Sequence, residues 1–321
     1  MTAFAVFNPA SDGGRTGRRW RHIEDALGAI FPHMEAVPTH GPGQAAHLVR
    51  EALHEGHTDI IAVGGDGVIN EALNGFFERG AVISQEAVFS FITTGEGPGG
   101  GDIARGLGIE PGAAGAIAHL RKAHIRKVDV GRVRCLSRDG APVTRYFLDA
   151  ASFGFSGAIA RGLSRGRAVR LLGRGAARRL GTLAQLLAWH DCRVRLMAPG
   201  LSVPGHTEGF DEIAGIASVV LANGRHFAGG LQVAPGASPH DGLFDVTVLA
   251  GGSRWRILAD MARIRHGTPD FPGLRNLRTP RLNAAPTLDT KGLVEVETDG
   301  ESAGVLPAMF EILPAAISIR L

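Results

Sequence analysis

Over its first 125 residues the chain alternates short apolar runs with amphipathic stretches, and this alternation restricts the fold more than any other feature. Phe4–Phe7, Glu35–Pro38, Asp59–Val63 and Val88–Ile92 read as strands. Between them, Arg18–Ile30, Gly43–Glu55, Val68–Arg79 and Gly112–Arg121 carry a helical pattern. Strands alternating with helices predict βαβ units, and so an α/β N-terminal domain with a parallel sheet. Ligands of such sheets bind beyond the carboxyl ends of the strands, which makes the loops after them the places to look.

After residue 125 the rhythm changes. Val128–Val133, Arg145–Ala151, Arg193–Met197, Ser218–Ala222, Phe244–Leu249 and Val294–Thr298 read as strands between Gly/Pro turns, with helices near 157–190 and 253–265. This predicts a mainly antiparallel β-sandwich. Two domains are expected, 1–125 and 126–321, with the last strands free to pack back on the first domain and a cleft between the two. Charge divides with them. Residues 1–130 hold 11 Lys/Arg and 15 Asp/Glu, a balance of −4; residues 131–321 hold 23 and 16, a balance of +7.

Several classes drop out early. Lys122, Lys127 and Lys291 are the only lysines among 34 basic residues, and none follows a Gly-rich loop or sits on an early strand. That excludes the P-loop and protein-kinase designs. Cys135 and Cys192 give neither a disulfide framework nor a zinc site, and suit a reducing compartment. The opening MTAFAVFNPASDGG lacks the basic and apolar regions of a signal peptide. The most apolar run, Ile213–Ala222, is about half the ~20 residues that span a bilayer. A soluble, cytoplasmic protein is expected.

The strongest local signal is Asp59-Ile-Ile-Ala-Val-Gly-Gly-Asp-Gly-Val-Ile-Asn-Glu71, an apolar strand running through glycines into a helix. Glycines let the backbone approach phosphate oxygens, and the N–H groups at a helix start favour anions. An acidic residue in such a loop repels phosphate unless a cation lies between them, so Asp66 suggests Mg2+ bridged to a nucleotide. The alternative is a tight βα turn with Asp66 as an N-cap.

With these residues the chain resembles the diacylglycerol kinase catalytic-domain family, which includes bacterial lipid kinases and sphingosine and ceramide kinases. The matching motifs are Asn8-Pro9-Ala10-Ser11-Asp12-Gly13, Gly64-Gly65-Asp66-Gly67 with Asn70-Glu71, and Val128-Asp129-Val130-Gly131. Further on come Asn223-Gly224, Gly229-Gly230, Pro235, Asp241-Gly242-Leu243-Phe244-Asp245-Val246, Thr298-Asp299-Gly300-Glu301 and Pro307. They cover nearly the whole chain in order. The resemblance implies a nucleotide cleft between an α/β domain and a β-sandwich. ATP would be held by Asn8, Pro9, Ala10, Ser11 and Asp12, by Thr39, by Gly64, Gly65, Asp66, Gly67, Val68, Ile69 and Asn70, and by the glycine loop at Gly99. Asp66, Asp102 and Asp129 would surround the catalytic Mg2+. A second, structural Mg2+ would involve Asp241 with backbone oxygens near Ser238 and Leu243. Glu301 would take the proton from the acceptor hydroxyl, with Asp66 the other candidate base.

Two departures stand out. Val68 replaces the family's Thr, removing a hydroxyl from the turn. The later glycine loop, Thr93-Thr-Gly-Glu-Gly-Pro-Gly-Gly-Gly-Asp102, lacks the usual Thr and Asn but keeps an Asp and Arg105. A basic stripe follows: Arg161, Arg165, Arg167, Arg170, Arg174, Arg178 and Arg179 lie in a stretch, Ala150–His190, free of acidic residues. A basic amphipathic helix of this kind can lie on an anionic membrane, and a solvated surface helix is the alternative. The absence of interleaved aromatics argues against nucleic acid. The expectation is an ATP- and Mg2+-dependent lipid kinase acting peripherally at the inner face of the membrane, with a homodimer allowed. The alternatives are a nucleotide- or lipid-binding module without transfer activity, an NAD kinase-related enzyme, or a soluble-alcohol kinase.

Overall fold

The computed structural model describes residues 2–95, 101–122, 124–158, 192–199, 209–225, 233–265 and 271–321. Strands β1 (Ala3–Phe7), β2 (Met34–Pro38), β3 (Asp59–Gly64) and β6 (Val88–Thr93) form a parallel sheet in the order β2-β1-β3-β6. The buried, mainly apolar runs of β1, β3 and β6 are explained by helices on both faces, while the edge strand β2 keeps Glu35 exposed. Phe4, Val6, Ile60, Ala62, Phe89 and Phe91 pack with α2 (Gln44–His54) and α3 (Asp66–Gly75). The alternate residues Ala3, Ala5, Phe7, Ile61, Val63 and Ile92 pack with α1 (Ser11–Gly28) and α5 (Ala113–Leu120). Between β6 and α5 lies the short α4 (Asp102–Gly106).

The helix expected to reach Arg79 stops at Gly75. A Cβ on Gly75 would lie 2.7 Å from Ala46 O and Val49 Cβ, so α2 and α3 touch backbone to backbone there. Phe77–Glu78 (β4) and Ala81–Val82 (β5) then form a small separate hairpin.

The second half is antiparallel and mostly β. Its strands are β7 (Ile125–Leu136), β8 (Pro142–Phe147), β9 (Ala150–Gly154), β10 (Cys192–Ala198), β11 (Phe210–Ala222), β12 (Phe244–Ala250), β13 (Leu274–Thr279), β14 (Arg281–Pro286), β15 (Glu295–Thr298) and β16 (Glu301–Arg320). One helix, α6 (Arg254–Arg265), is described after β12. The core gathers Val133, Phe147, Phe153, Val219, Phe244, Val296 and Phe310. The strand expected over Arg145–Ala151 is two strands, because the amides of Leu148, Asp149 and Ala150 leave the ladder to reach the Asp299 carboxylate. The 20-residue β16 pairs in turn with β15, β14 and β7, and its end lies parallel to β6 at Ser318↔Val88. Among the described residues one 14-stranded sheet thus runs through both halves. Breaks in the β16–β7 register fall between Val305 and Met309 and between Leu313 and Ile317, the stretches that contain Pro307 and Pro314. Proline cannot donate to a ladder, so these two residues divide the sequence pattern of one long strand.

Gly131, the last residue of the Val-Asp-Val-Gly motif, lies beneath the buried Phe147 ring. A Cβ there would be 2.2 Å from the ring. Gly131→Ala is therefore expected to destabilise the protein by about 1–3 kcal/mol in chemical denaturation, the usual range for overpacking a core. An unchanged midpoint would show that the ring can move aside.

Candidate functional site

Neighbouring strands β1 and β3 send the chain to opposite edges of the parallel sheet, β2 lying beyond β1 and β6 beyond β3. Their carboxyl ends form the switch point at which such sheets bind ligands. After β1, Asn8 Oδ1 accepts the Ala10 N–H at 2.9 Å and Asn8 O accepts that of Ser11 at 3.1 Å. Pro9 O accepts the Gly17 N–H at 3.1 Å. Asp12, Gly13 and Gly14 follow with φ of 52°, 64° and 81°. Three successive left-handed residues explain why the helical pattern is clear in sequence only from Arg18. Thr39 is buried at the end of β2, with its N–H on Phe7 O at 2.8 Å.

After β3 the Gly64-Gly65-Asp66-Gly67 turn faces this loop. The Gly65 N–H reaches Ser11 Oγ at 3.4 Å, and a Cβ on Gly64 would meet that oxygen at 2.9 Å. Helix α3 has Gly65 as its N-cap with no side-chain cap bond, so Asp66 is not the cap of its own helix. Instead its carboxylate crosses to the next loop and accepts the Gly101 N–H at 2.9 Å and the Asp102 N–H at 3.2 Å. Val68 and Ile69 turn into the core. The Asn70 amide is directed to the second half, donating to Tyr146 O at 3.0 Å and Asp299 Oδ2 at 2.8 Å.

The second half supplies the remaining groups. Asp299 accepts backbone N–H groups from Leu148, Asp149 and Ala150 at 3.0–3.1 Å as well as the Asn70 amide. Two residues on, the exposed Glu301 lies over the glycine turn, where a Cβ on Gly67 would come within 2.9 Å of Glu301 Oε1. Glu301 and Asp66, far apart in sequence, thus flank one turn.

This meeting point is strongly negative. Burial, with the charge of Asp102 next and that of Asp299 also contributing, pushes Asp66 up from its ordinary 3.8 to about 6. Asp149, absent from the sequence-derived set, is buried, and its carboxyl is held well above the ordinary range by burial and then by Asp299, Asp102, Asp66 and Glu297. Its Oδ1 has no hydrogen-bond partner and sits between Gly106 and Gly224, where a Cβ would come within 2.4 and 2.1 Å respectively. Arg105 meets Asp102 at 3.1 Å. Excess buried charge is what a cation would relieve, and Asp66, raised by burial and by Asp102, fits one on that ground, with Arg105 offsetting only part of the Asp102 charge. Among the described residues no three His, Cys, Asp or Glu side chains converge as a metal group.

Asp129 is placed elsewhere. Its oxygens accept the Gly242 and Ala315 N–H groups, both at 2.7 Å, so its carboxylate belongs with the Asp241–Gly242 turn and not with Asp66 and Asp102. Nor do Asp241, Ser238 and Leu243 fit the second metal. Asp241 Oδ1 takes the Leu243 N–H at 3.1 Å and its Oδ2 is paired with Arg278, which also lies 3.4 Å from Asp245. A guanidinium already supplies the positive charge.

Gly99, Gly229-Gly230 and the arginine stripe 161–179 lie outside the described residues. Sequence reasoning missed Asp149 and left Asp299 and Asn223 without roles. Asn223 is fully buried and donates to Asp129 O at 3.0 Å and Leu148 O at 2.7 Å. An Asp directly after the apolar run Tyr146-Phe147-Leu148 was the available signal for Asp149.

Residues 2–133 match the family profile described as diacylglycerol kinase catalytic domain, and residues 152–321 match the YegS C-terminal NAD kinase beta sandwich-like domain. A diacylglycerol kinase of Mycobacterium tuberculosis is 27% identical over 280 residues, 86% of this chain and 80% of its own. A Pseudomonas aeruginosa protein named a probable lipid kinase YegS-like is 30% identical over 282 residues, 87% of this chain and 82% of its own. The crystal structure of a diacylglycerol kinase from Bacillus anthracis has the same fold, with a TM-score of 0.66 at 19% identity over 99% of this chain and 96% of that one.

The raised Asp66 value has a consequence for stability. The ionised carboxylate destabilises the fold above pH 6, and this loss fades as pH falls toward 3.8. In metal-free protein Asp66→Asn, with its Oδ1 turned to the Gly101 amide, should gain up to about 3 kcal/mol at pH 8 and little at pH 4. Equal gains at both pH values in thermal melts would remove the electrostatic cause.

Proposed function

The chain belongs to the diacylglycerol kinase and YegS-like lipid kinase family, and from that premise we propose that it transfers the γ-phosphoryl group of ATP, with Mg2+, to a hydroxyl of a membrane lipid. The observation that carries this reading is the approach of Glu301 to Gly67, which sets a carboxylate beside a phosphate-type glycine turn. In the transfer the lipid oxygen bonds to the γ-phosphorus, the bond from that phosphorus to the β–γ bridging oxygen breaks, and the hydroxyl proton leaves. Glu301 is the group to receive it. The first-turn amides of α3 and the left-handed loop at Asp12–Gly14 suit the phosphate chain. Asp66 and Asp102 would hold Mg2+, which commonly keeps waters and binds few carboxylates besides phosphate oxygens and whose charge would offset the phosphates.

A lipid acceptor requires contact with a surface. On α6, Trp255 is 81% exposed and Leu258 is also exposed, beside Arg256 and Arg263. The two arginines share the buried Asp260, at 3.6 and 2.8 Å, which leaves an apolar face with one surplus positive charge, and such a face suits an anionic bilayer. The stripe at 161–179 is proposed to add to it.

Incubation with Mg-ATP and diacylglycerol, sphingosine, phosphatidylglycerol or NAD tests the reading. Phosphorylation of a lipid is expected, and Glu301→Gln should lower kcat by about 100-fold or more, as loss of a general base does. Undiminished turnover in that variant would move the base elsewhere. Transfer to NAD alone would replace the acceptor class, and ATP binding without any transfer would leave a binding module. In co-sedimentation with anionic liposomes, Arg170→Glu plus Arg174→Glu should weaken binding, as should added salt. Equal binding by the variant would make the stripe a solvated face.

A further inference from the structure

Away from the acidic meeting point, the structure contains a cavity of about 410 Å³ of opposite character. It lies between α2, the end of α3, the β4–β5 hairpin and strands β7 and β8, and its lining includes Arg50, Arg79, Arg132, Arg134 and Arg145. Its floor is the pair Phe77 and Tyr146, stacked at 3.8 Å with 9° between the planes. Arg132 and Arg134 share a face of β7, two residues apart, and both act on the Tyr146 phenol.

Two of these arginines are paired with carboxylates and three are not. Arg50 lies 4.0 Å from Glu78 and donates to Phe77 O, while Arg132 is paired with Glu311. Glu311 is already shared with Arg281. Among the described residues Arg79, Arg134 and Arg145 have no carboxylate partner, Arg145 donating only to Thr144 O. Guanidinium groups gathered around an aromatic floor, with surplus positive charge, match a ligand with several acceptor oxygens on one centre. Phosphate is the group for which the arginine fork is best suited.

The backbone adds a second, independent observation. β4 and β5 are joined by the two-residue turn Arg79-Gly80, with φ of 49° and 89° and Glu78 paired to Ala81. Such turns prefer Asn, Asp or Gly at the first position, because a left-handed conformation is unfavourable for a long side chain. The same geometry recurs between β15 and β16, where the residues are Asp299-Gly300 with φ of 48° and 83°. There the preferred Asp is present. At the cavity an arginine occupies the unfavourable position, and its side chain lines the opening.

We propose that this arginine cavity is a second ligand site, distinct from the glycine turn, that binds a phosphate group carried on a small organic substituent. A cavity near 410 Å³ is at the lower end of small-molecule sites and accommodates a phosphorylated glycerol or sugar-sized molecule. The same chemistry is offered by a free phosphate ester and by the headgroup of an anionic phospholipid. Neither source requires the kinase reading to hold.

The test uses the full chain, with inorganic phosphate and glycerol 3-phosphate titrated at constant ionic strength against chloride. In parallel, it is titrated with phosphatidylcholine vesicles with and without phosphatidylglycerol. Phosphate and glycerol 3-phosphate should bind and raise the melting temperature, and chloride should not. Arg134→Gln should weaken that binding by about tenfold, as loss of a charge-assisted fork contact does. Arg79→Asn gives the turn a residue it prefers, so it should weaken binding while raising the melting temperature of the ligand-free protein. Response to the free esters supports a soluble ligand, and response only to phosphatidylglycerol vesicles supports a headgroup. No response to either source overturns the proposal. So does equal affinity of both variants and the parent, which would place the phosphate elsewhere. Because both side chains are exposed, loss of folding is not the expected consequence of replacing either.

Discussion

Asp299 accepts hydrogen bonds from three consecutive backbone amides, Leu148 to Ala150, and from the Asn70 side chain, and the arrangement of the site depends on this set. Those amides stand where β8 gives way to β9. Without the carboxylate they would be polar groups stranded beside a core, at about 1–3 kcal/mol each. Asn70 brings α3 of the parallel sheet to the same carboxylate. The turn that carries Asp299 is of the Asp-Gly hairpin type, so one residue satisfies the backbone geometry and clasps the two halves. Glu301 begins the next strand, and the clasp fixes where it lies over Gly67. The position of the proposed base therefore follows from a hydrogen-bonded turn two residues away.

The clasp also explains why the site tolerates so much negative charge. Asp102, Asp299 and Glu297 act with Asp66 on Asp149, Asp102 and Asp299 act on Asp66, and burial raises Asp66, Asp149 and Asp299. A fold selected only for stability would replace such groups with apolar ones. Here Asp66 and Asp299 are held in place by amides from other elements, Asp102 by Arg105 and Glu297 by the Ser152 hydroxyl, so repulsion does not spread them apart. The arginine cavity beyond Asn74 and Tyr146 has the opposite imbalance. Asn74 donates to Tyr146 O at 2.9 Å and accepts the Tyr146 N–H at 3.0 Å. The two unbalanced regions thus lie at opposite ends of a single helix, α3, the carboxylates at its first turn by Asp66 and the arginines at its last by Asn74.

Much of this was legible in the chain, and what was not has physical reasons. Strands β1, β3 and β6 stood out because helices cover both faces and leave nearly uninterrupted apolar runs, and the edge strand β2 by its place in the alternation. The glycine turn was visible because close backbone approach leaves no choice of residue, as Gly64 and Gly67 show. Glu301 was reached through the family resemblance, since an Asp-Gly-Glu hairpin alone gives no sign of what lies opposite. The grouping of Asp129 with Asp66 came the same way, and the contacts separate them: Asp129 serves the Gly242 and Ala315 amides. For Asp149 the chain shows only an Asp after the apolar run Tyr146-Phe147-Leu148; its role was not legible, because its environment is made by Gly106 and Gly224, each distant in sequence. The long β16 was hidden by its own Pro307 and Pro314.

Val68 stands where the resemblance expects Thr, and its surroundings show what the exchange does. The side chain is 7% exposed and belongs to the core beneath the parallel sheet. A Cβ on Gly64 would lie only 3.2 Å from Val68 Cγ2, so the glycine turn rests directly on this branched side chain. Thr has nearly the shape of Val, but a hydroxyl buried there needs a partner, and Val needs none. With no hydroxyl at this position, polar contact with the proposed phosphate would fall to the first-turn amides of α3 and to Ser11 Oγ, which already lies against Gly64 and Gly65. The amides point correctly only while the turn keeps its shape, and Val68 supports that shape from below. Residue 68 therefore acts on the site through the backbone it holds up, which is why a change of its polarity leaves the phosphate-type turn intact.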